Sequence, residues 1–441
     1  MTLERVMGAL AGRWPSEDKM QPDLERIALL MDMLGSPQKS YPVVHISGTN
    51  GKTSTARITD SLLRSFGLRV GRYTSPHLES VTERITVDGV PLTEEQFVAA
   101  YDDIAPYVEI VDSRMPVKLT FFEILTAMAY AAFADAPVDV AVVEVGLGGS
   151  WDATNVVEAA TCVVTPIGLD HVPLLGTTIA EVAGEKAGII HAGATVVLAA
   201  QPPEAAEVLL RRAVEVGATV AREGLEFGVV ERRTAVGGQL VTLQGLAGTY
   251  DEMFLPLFGE HQAGNAACAV AAVEAFLGGG ESRQIDPDAV REGLADARSP
   301  GRLEVVRTSP TVVLDAGHNP HGMAATVRAL ADAFTFTKLV GVVACLADKD
   351  VRGMLEVLEP ALSSIVVTTN SSPRALPVDD LFALAVDVFG DDRVAAEDRL
   401  DDALDTAVQL AEDEVEYGGA GVLVTGSVVT VGEARALLRT R

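Results

Sequence analysis

Lys52, Thr53 and Ser54 follow Gly51 at the end of Val43-Val44-His45-Ile46-Ser47-Gly48-Thr49-Asn50-Gly51, the stretch of this chain best equipped to hold an anion. A glycine turn ahead of a helix aims free amides at a phosphate. An ammonium such as Lys52 offsets its charge, and a hydroxyl such as Thr53 can hold Mg²⁺. The pattern departs from the standard G-x-x-x-x-G-K-[ST] loop: the first glycine should fall at Ile46 and instead stands at Gly48. Further side chains able to do chemistry stand where strands give way to loops, at Ser75, Glu144 and Asp170-His171. In open parallel sheets ligands sit beyond the carboxyl ends of the strands. Hydroxyl, carboxylate and imidazole beside a phosphate loop read as a metal–nucleotide shell, although imidazole is an uncommon Mg²⁺ ligand. Taken singly, each is equally compatible with a solvated turn residue. By local pattern Lys186 is a helix-surface lysine.

A second polar constellation lies in Leu314-Asp315-Ala316-Gly317-His318-Asn319-Pro320-His321. Asp315 at a strand end suits ribose hydroxyls, and His318 suits a phosphate or carboxylate. Arg302, in Ser299-Pro300-Gly301-Arg302, can reach a phosphate; Arg374 offers a fork for a carboxylate. Both arginines are also compatible with a solvated surface. No Ser-His-Asp arrangement is evident. A nucleotide loop in one half and carboxylate-binding candidates in the other fit ATP-driven ligation: a phosphate activates a carboxylate, and an amine held by the other half attacks it.

The elements that must position these groups alternate between strand and helix. Residues 1–40 read as helices, with Leu24, Ile27, Leu30, Met31 and Leu34 at helical spacing before Gly35-Ser36-Pro37. The helix after the loop runs from Thr55 to Phe66. Strands are expected at 68–73, 138–145, 160–165, 195–199 and 218–221, with a short one in 83–89. Thr93 with Gln96 makes a capping box, and Thr120 to Phe133 is an apolar helix. Residues 226–255 alternate and suggest an antiparallel insertion, and an Ala-rich helix runs from His261 to Leu277. Beyond Ser299 the rhythm restarts, with strands at 312–315, 339–345, 364–369 and 422–425. The expected fold class is α/β in two domains. An N-terminal P-loop ATPase-like domain with a mainly parallel sheet spans 1–298, and a smaller Rossmann-like domain spans 299–441.

A chain of 441 residues with 48% apolar and 22% charged residues can build such cores. Its net charge of −28 argues against nucleic-acid or anionic-membrane partners. The three cysteines, Cys162, Cys268 and Cys345, are widely spaced in apolar surroundings, which reads as buried thiols in a reducing compartment. Without an apolar signal region or a membrane-length run, a cytoplasmic location is expected.

Several motifs together resemble the folylpolyglutamate synthase/dihydrofolate synthase family of Mur-ligase-like amide ligases. They are Ser47-Gly48-Thr49-Asn50-Gly51-Lys52-Thr53, Thr74-Ser75-Pro76-His77-Leu78, Thr120-Phe121-Phe122-Glu123, Glu144-Val145-Gly146-Leu147-Gly148-Gly149, Asp152-Ala153-Thr154-Asn155, Gly168-Leu169-Asp170-His171, Glu185-Lys186-Ala187-Gly188-Ile189, Pro300-Gly301-Arg302 and His318-Asn319-Pro320. The family's variant loop accounts for the displaced glycine. The resemblance implies ATP on Asn50, Gly51, Lys52, Thr53 and Ser54, with Asn265, Arg302 and Asp315 as further nucleotide contacts. It implies one Mg²⁺ on Thr53, Ser75 and Glu144. A second would involve His171, the shared Glu144 and a carbamylated Lys186. Thr120, Phe121, Phe122 and Glu123, with Trp151, Asp152 and Ala153, match the pterin side. His318, Arg374 and Ser427 are candidates for the incoming L-glutamate, and Lys52, Lys186 and His318 for catalysis. The implied reaction adds L-glutamate to dihydropteroate and to reduced folates through an acyl phosphate, by a monomer. A form active only on folates and a Mur-type cell-wall ligase are the alternatives, and a non-catalytic nucleotide switch is a third. The chain departs from the family pattern in Ala316-Gly317, usually Gly-Ala, and in Val81, where an aromatic is common.

Overall fold

The apolar runs read as strands pair as buried, mainly parallel sheets. In the computed structural model, which describes residues 2–14, 21–278, 284–413 and 419–439, the first sheet has eight strands. They are β1 (Val43–Ser47), β2 (Val70–Tyr73), β3 (Ile85–Val87), β4 (Val90–Pro91), β5 (Val140–Glu144), β6 (Thr161–Val164), β7 (Thr195–Leu198) and β8 (Thr219–Arg222), ordered β4-β3-β2-β5-β1-β6-β7-β8. The pairs from β2 across to β8 are parallel, and β3 and β4 add an antiparallel edge. Every residue of β1 and β5 is buried, as a sheet covered on both faces requires. One face packs on the helices Glu94–Arg114 and Phe121–Asp135, the other on Lys52–Ser65 and Glu260–Phe276.

The alternating stretch 226–255 forms the expected antiparallel insertion, β9 (Gly228–Ala235), β10 (Gly238–Gln244) and β11 (Thr249–Leu255). Its apolar face, with Val241, Leu243 and Tyr250, joins the core of the Ala-rich helix. The last sheet has six strands, β12 (Glu304–Thr308), β13 (Thr311–Leu314), β14 (Lys338–Val343), β15 (Ser364–Val367), β16 (Val394–Ala396) and β17 (Ala420–Thr425), ordered β12-β13-β17-β14-β15-β16. All its pairs are parallel except β12–β13. The chain is thus an α/β protein with a larger, mainly parallel N-terminal sheet unit and a smaller C-terminal one. β12 and β16 escape the sequence reading because both are edge strands, partly exposed and without a continuous apolar run. Among the described residues no helix is long and apolar enough to cross a membrane. The three cysteines are buried and free.

At the N-terminus the helices Leu3–Ala11 and Glu25–Met33 form as expected; residues 15–20, inside the stretch read as helical, lie outside the described residues. The second helix supplies Arg26, whose Nε donates to Glu123 Oε1 at 3.0 Å, with both side chains buried. Removing one partner of such a pair strands a charge in the interior. Arg26→Ala is therefore expected to lower unfolding free energy by about 3–5 kcal/mol in urea titration. An unchanged midpoint would show that the pair does not support the helix start.

Candidate active site

The phosphate loop is built between β1 and the helix Lys52–Ser65. Gly48 has φ +139°, and a Cβ there would lie 1.9 Å from Thr165 Oγ1, just beyond β6. The off-register glycine is therefore fixed by a neighbouring strand end. Gly51, at φ +92°, backs onto Asn265, whose Oδ1 would lie 2.5 Å from an added Cβ. Asn265 donates to Gln262 at 3.1 Å, Gln262 to Ser54 Oγ at 3.2 Å, and Ser54 Oγ sits 3.0 Å from Ser299 Oγ. Loop, Ala-rich helix and linker are joined, and Gly51, Ser54 and Asn265 are brought together.

Two lysine amino groups converge on one carbonyl. Lys52 Nζ donates to Gly48 O at 3.0 Å and to Thr49 O at 3.1 Å, and Lys186 Nζ donates to Gly48 O at 2.7 Å. Lys186 is far from a surface lysine: it is 3% exposed at the end of the helix Ile179–Lys186. Ser150 N and Oγ pin that helix end by donating to Glu185 O at 3.0 and 3.1 Å. Burial, reinforced by the nearby Lys52 charge, holds the Lys186 amine well below its ordinary pKa. Burial also lowers Lys52, with Glu144 and Asp170 opposing it.

Glu144, at the end of β5 and 1% exposed, is the hub of the metal candidates. Thr53 Oγ1 donates to its Oε1 at 2.7 Å, and the Ser75 amide to its Oε2 at 3.0 Å. Burial raises its pKa, opposed by Lys52 and by these hydrogen bonds. A buried carboxylate beside the Thr53 hydroxyl is a pair of hard oxygen donors that suits Mg²⁺. His171 lies toward the other half of the molecule: its Nε2 is 3.3 Å from Lys349 Nζ and 3.9 Å from Asp170 Oδ1.

Asp170 joins the halves. It accepts from Lys349 Nζ at 2.7 Å and from Asn319 Nδ2 at 3.1 Å, and lies 3.7 Å from His318 Nε2. Burial alone would raise its pKa; His171, Lys349 and His318 hold it well below the carboxylate range. Asn319 also donates to Asn50 Oδ1 at 3.1 Å, and Asn50 Nδ2 meets His321 Nδ1 at 2.9 Å. The tip of the phosphate loop is thereby tied to the start of the helix Pro320–Ala333. His318 Nδ1 donates to Ala316 O at 3.0 Å, leaving Nε2 as the acceptor. Packing around the ring, with Lys349 nearby, pushes its pKa to about 4. Lys349, which the sequence reading did not single out, follows β14 at a strand end, so its position was the available signal.

Other expected residues are placed as follows. Asp315 is buried, accepting from Leu303 N at 3.1 Å, Gly317 N at 3.0 Å and Thr326 Oγ1 at 2.6 Å. Its carboxylate fixes the turn carrying Arg302, whose charge reaches Lys52, Glu144 and His318. Thr120 and Glu123 form a reciprocal helix cap, and Arg26 engages Glu123. Phe121 and Phe122 start that helix, Phe122 at 5.9 Å from Tyr73 between ring centroids. Asp152 is buried and accepts from Leu147 N at 2.8 Å and Thr154 N at 3.0 Å, holding the loop after β5. Ala153 is buried beside it, and Trp151 lies against Gly148. Arg374 forms a bidentate pair with Asp348. Ser427 Oγ accepts from Thr430 N at 3.0 Å and from Asn370 Nδ2 at 3.2 Å, capping the helix Val428–Arg439.

Two family models match the chain: the Mur ligase middle domain over residues 46–273 and the Mur ligase glutamate ligase domain over residues 301–428. The dihydrofolate synthase/folylpolyglutamate synthase of Mycobacterium tuberculosis is 51% identical over 99% of this chain and 94% of its own length. This chain belongs to the dihydrofolate synthase/folylpolyglutamate synthase family of Mur ligases. The namesake of Bacillus subtilis is 34% identical over 95% of this chain and 96% of its own. Among solved structures, Mycobacterium tuberculosis folylpolyglutamate synthase complexed with ADP superposes with a TM-score of 0.94 at 52% identity, covering 99% of this chain and 98% of that one. Escherichia coli FolC in complex with DHPP and ADP gives 0.87 at 30% identity, covering 100% and 98%.

Proposed function

We propose that this member of the family is an ATP-dependent amide ligase that adds L-glutamate to dihydropteroate, forming dihydrofolate, and to reduced folates, forming polyglutamates. The observation that carries this reading is the convergence of Lys52, Lys186, Thr53, Ser75 and Glu144 around one loop whose tip is bonded to the second half through Asn319 and His321. Such a site can activate a carboxylate in one half and receive an amine from the other. The functional division falls at 298/299, with residues 1–298 taking ATP and the pterin acceptor and 299–441 contributing to nucleotide and glutamate binding.

Chemically, an oxygen of the acceptor carboxylate attacks the terminal phosphorus of ATP, and ADP leaves. The glutamate amine then attacks the acyl carbon, and phosphate departs carrying that oxygen. Lys52 offsets charge on the transferring group. Thr53, Ser75 and Glu144 would hold Mg²⁺, which supplies further charge neutralisation and Lewis acidity when bound. Burial disfavours the Lys186 cation, and its amine form is suited to take up CO₂: the nitrogen bonds the carbon, one C=O pair moves onto oxygen and the N–H proton is released, leaving an anion that with His171 and Glu144 would hold a second Mg²⁺. His318, neutral and with Nε2 accepting, can take the proton the amine releases. Arg374 and Ser427 are proposed to meet the glutamate carboxylates, which for Arg374 requires exchanging its bond to Asp348. The Asp170–Lys349 and Asn50–Asn319 contacts hold the halves together, shielding the reactive acyl group from water. Dihydropteroate labelled with ¹⁸O in its carboxylate tests the chemistry: label should appear in the released phosphate. Phosphate free of label would rule out acyl transfer through this route.

A further inference from the structure

Trp14 is anchored, yet more than half of it faces solvent. It is 56% exposed, while the Phe121 ring beneath it is 4% exposed. The two rings stack with centroids 4.7 Å apart and planes inclined by 23°. The segment carrying the indole is clamped: Phe121 N donates to Arg13 O at 2.8 Å, and Arg13 donates to Leu119 O at 2.9 Å and to Asp112 Oδ2 at 2.7 Å. Arg84, 3% exposed, places its guanidinium 5.3 Å from the Phe121 ring centre and 5.9 Å from that of Trp14. Its Nε donates to His77 Nδ1 at 2.9 Å, which fixes the guanidinium in place. Both ring distances fall within cation–π range, so the guanidinium lies beside the pair and helps hold the two rings in place. A large aromatic that stacks on a buried ring, follows a clamped residue and keeps more than half of its surface in solvent is a platform for a flat π-system, since it loses little entropy when a ligand stacks on it.

We propose that Trp14 is a specificity-determining residue for the acceptor, its open face stacking on the flat heteroaromatic ring. The stacked Trp14 and Phe121 rings, with Arg84 beside them, form one wall of the acceptor site. This rests on the proposed function, because it takes the segment at Phe121 as the pterin side. It goes further in assigning that wall to a residue ahead of the phosphate loop, outside the segment the family models cover.

The test compares Trp14→Leu and Trp14→Phe with the unaltered protein in steady-state assays, with dihydropteroate varied at saturating ATP and glutamate. Trp14→Leu is expected to raise the acceptor KM roughly tenfold and leave kcat and the KM values for ATP and glutamate near their starting values. Trp14→Phe, which keeps an aromatic face, restores most of the affinity. A merely structural role would lower the melting temperature without singling out one substrate. Should Trp14→Leu fail to fold, indole fluorescence decides: dihydropteroate alone should quench the unaltered protein more than Trp14→Phe. Equal quenching, or an unchanged acceptor KM in folded Trp14→Leu, overturns the proposal. An unaltered protein that shows no acceptor-dependent ADP release would instead overturn the ligase reading.

Discussion

Lys52→Ala will cut ATP-dependent turnover by about 10³-fold or more, the scale expected when a cation facing a transferring phosphoryl group is removed. The fold should survive. Lys52 contributes two hydrogen bonds to its own loop, at Gly48 O and Thr49 O, and Gly48 O keeps Lys186 as a donor. Thr53 and Ser75 would still meet Glu144. A steady-state assay together with a thermal melt separates the two effects. Turnover within a few-fold of normal, in a protein that melts normally, would mean that the loop does not handle phosphate.

The second large effect is expected at Lys186. Lys186→Ala should abolish activity to a similar degree, and a short-chain carboxylate added to the buffer should restore part of it. The reasoning starts from burial. An ammonium that is 3% exposed and adjacent to Lys52 is destabilised as a cation. A neutral amine is the form that reacts with CO₂, and the resulting carbamate would be stabilised by the metal and by Lys52. The deleted side chain leaves room for a small carboxylate to take the place of the carbamate group. Intact-protein mass spectrometry under CO₂, at a pH that preserves carbamates, should show one added CO₂ in the unaltered protein and none in Lys186→Ala. Undiminished activity in the variant would remove Lys186 from the site.

Lys186 also shows where the sequence stops being informative. By local pattern it reads as a helix-surface lysine, and nothing local tells a buried amine from an exposed one. What buries it is the approach of the loop after β5, through Ser150 to Glu185, and of Gly48, which lies 138 positions away. The phosphate loop was legible because its strand, turn and helix are contiguous. Even there, the reason for Gly48 lies in Thr165, just beyond the end of a different strand. Glu144 and Ser75 could be picked out as polar groups at strand ends, and the parallel sheet order brings those ends together. The roles of Thr120 and Glu123 were less legible, because a capping box and a ligand-binding pair share one pattern; here their polar atoms serve the helix start and Arg26. Edge strands β12 and β16 lacked the apolar run that marks buried ones. Lys349 and Trp14 went unremarked because each acquires its partner, Asp170 or Phe121, only through long-range packing.

The most direct test of the central claim is ADP release measured with each substrate omitted in turn. The proposed mechanism predicts rapid release with ATP, Mg²⁺, dihydropteroate and L-glutamate together, one ADP for each new amide, and little release when either acceptor or glutamate is left out. ADP formed at the same rate without acceptor and glutamate, or no ADP with the full set, would contradict it.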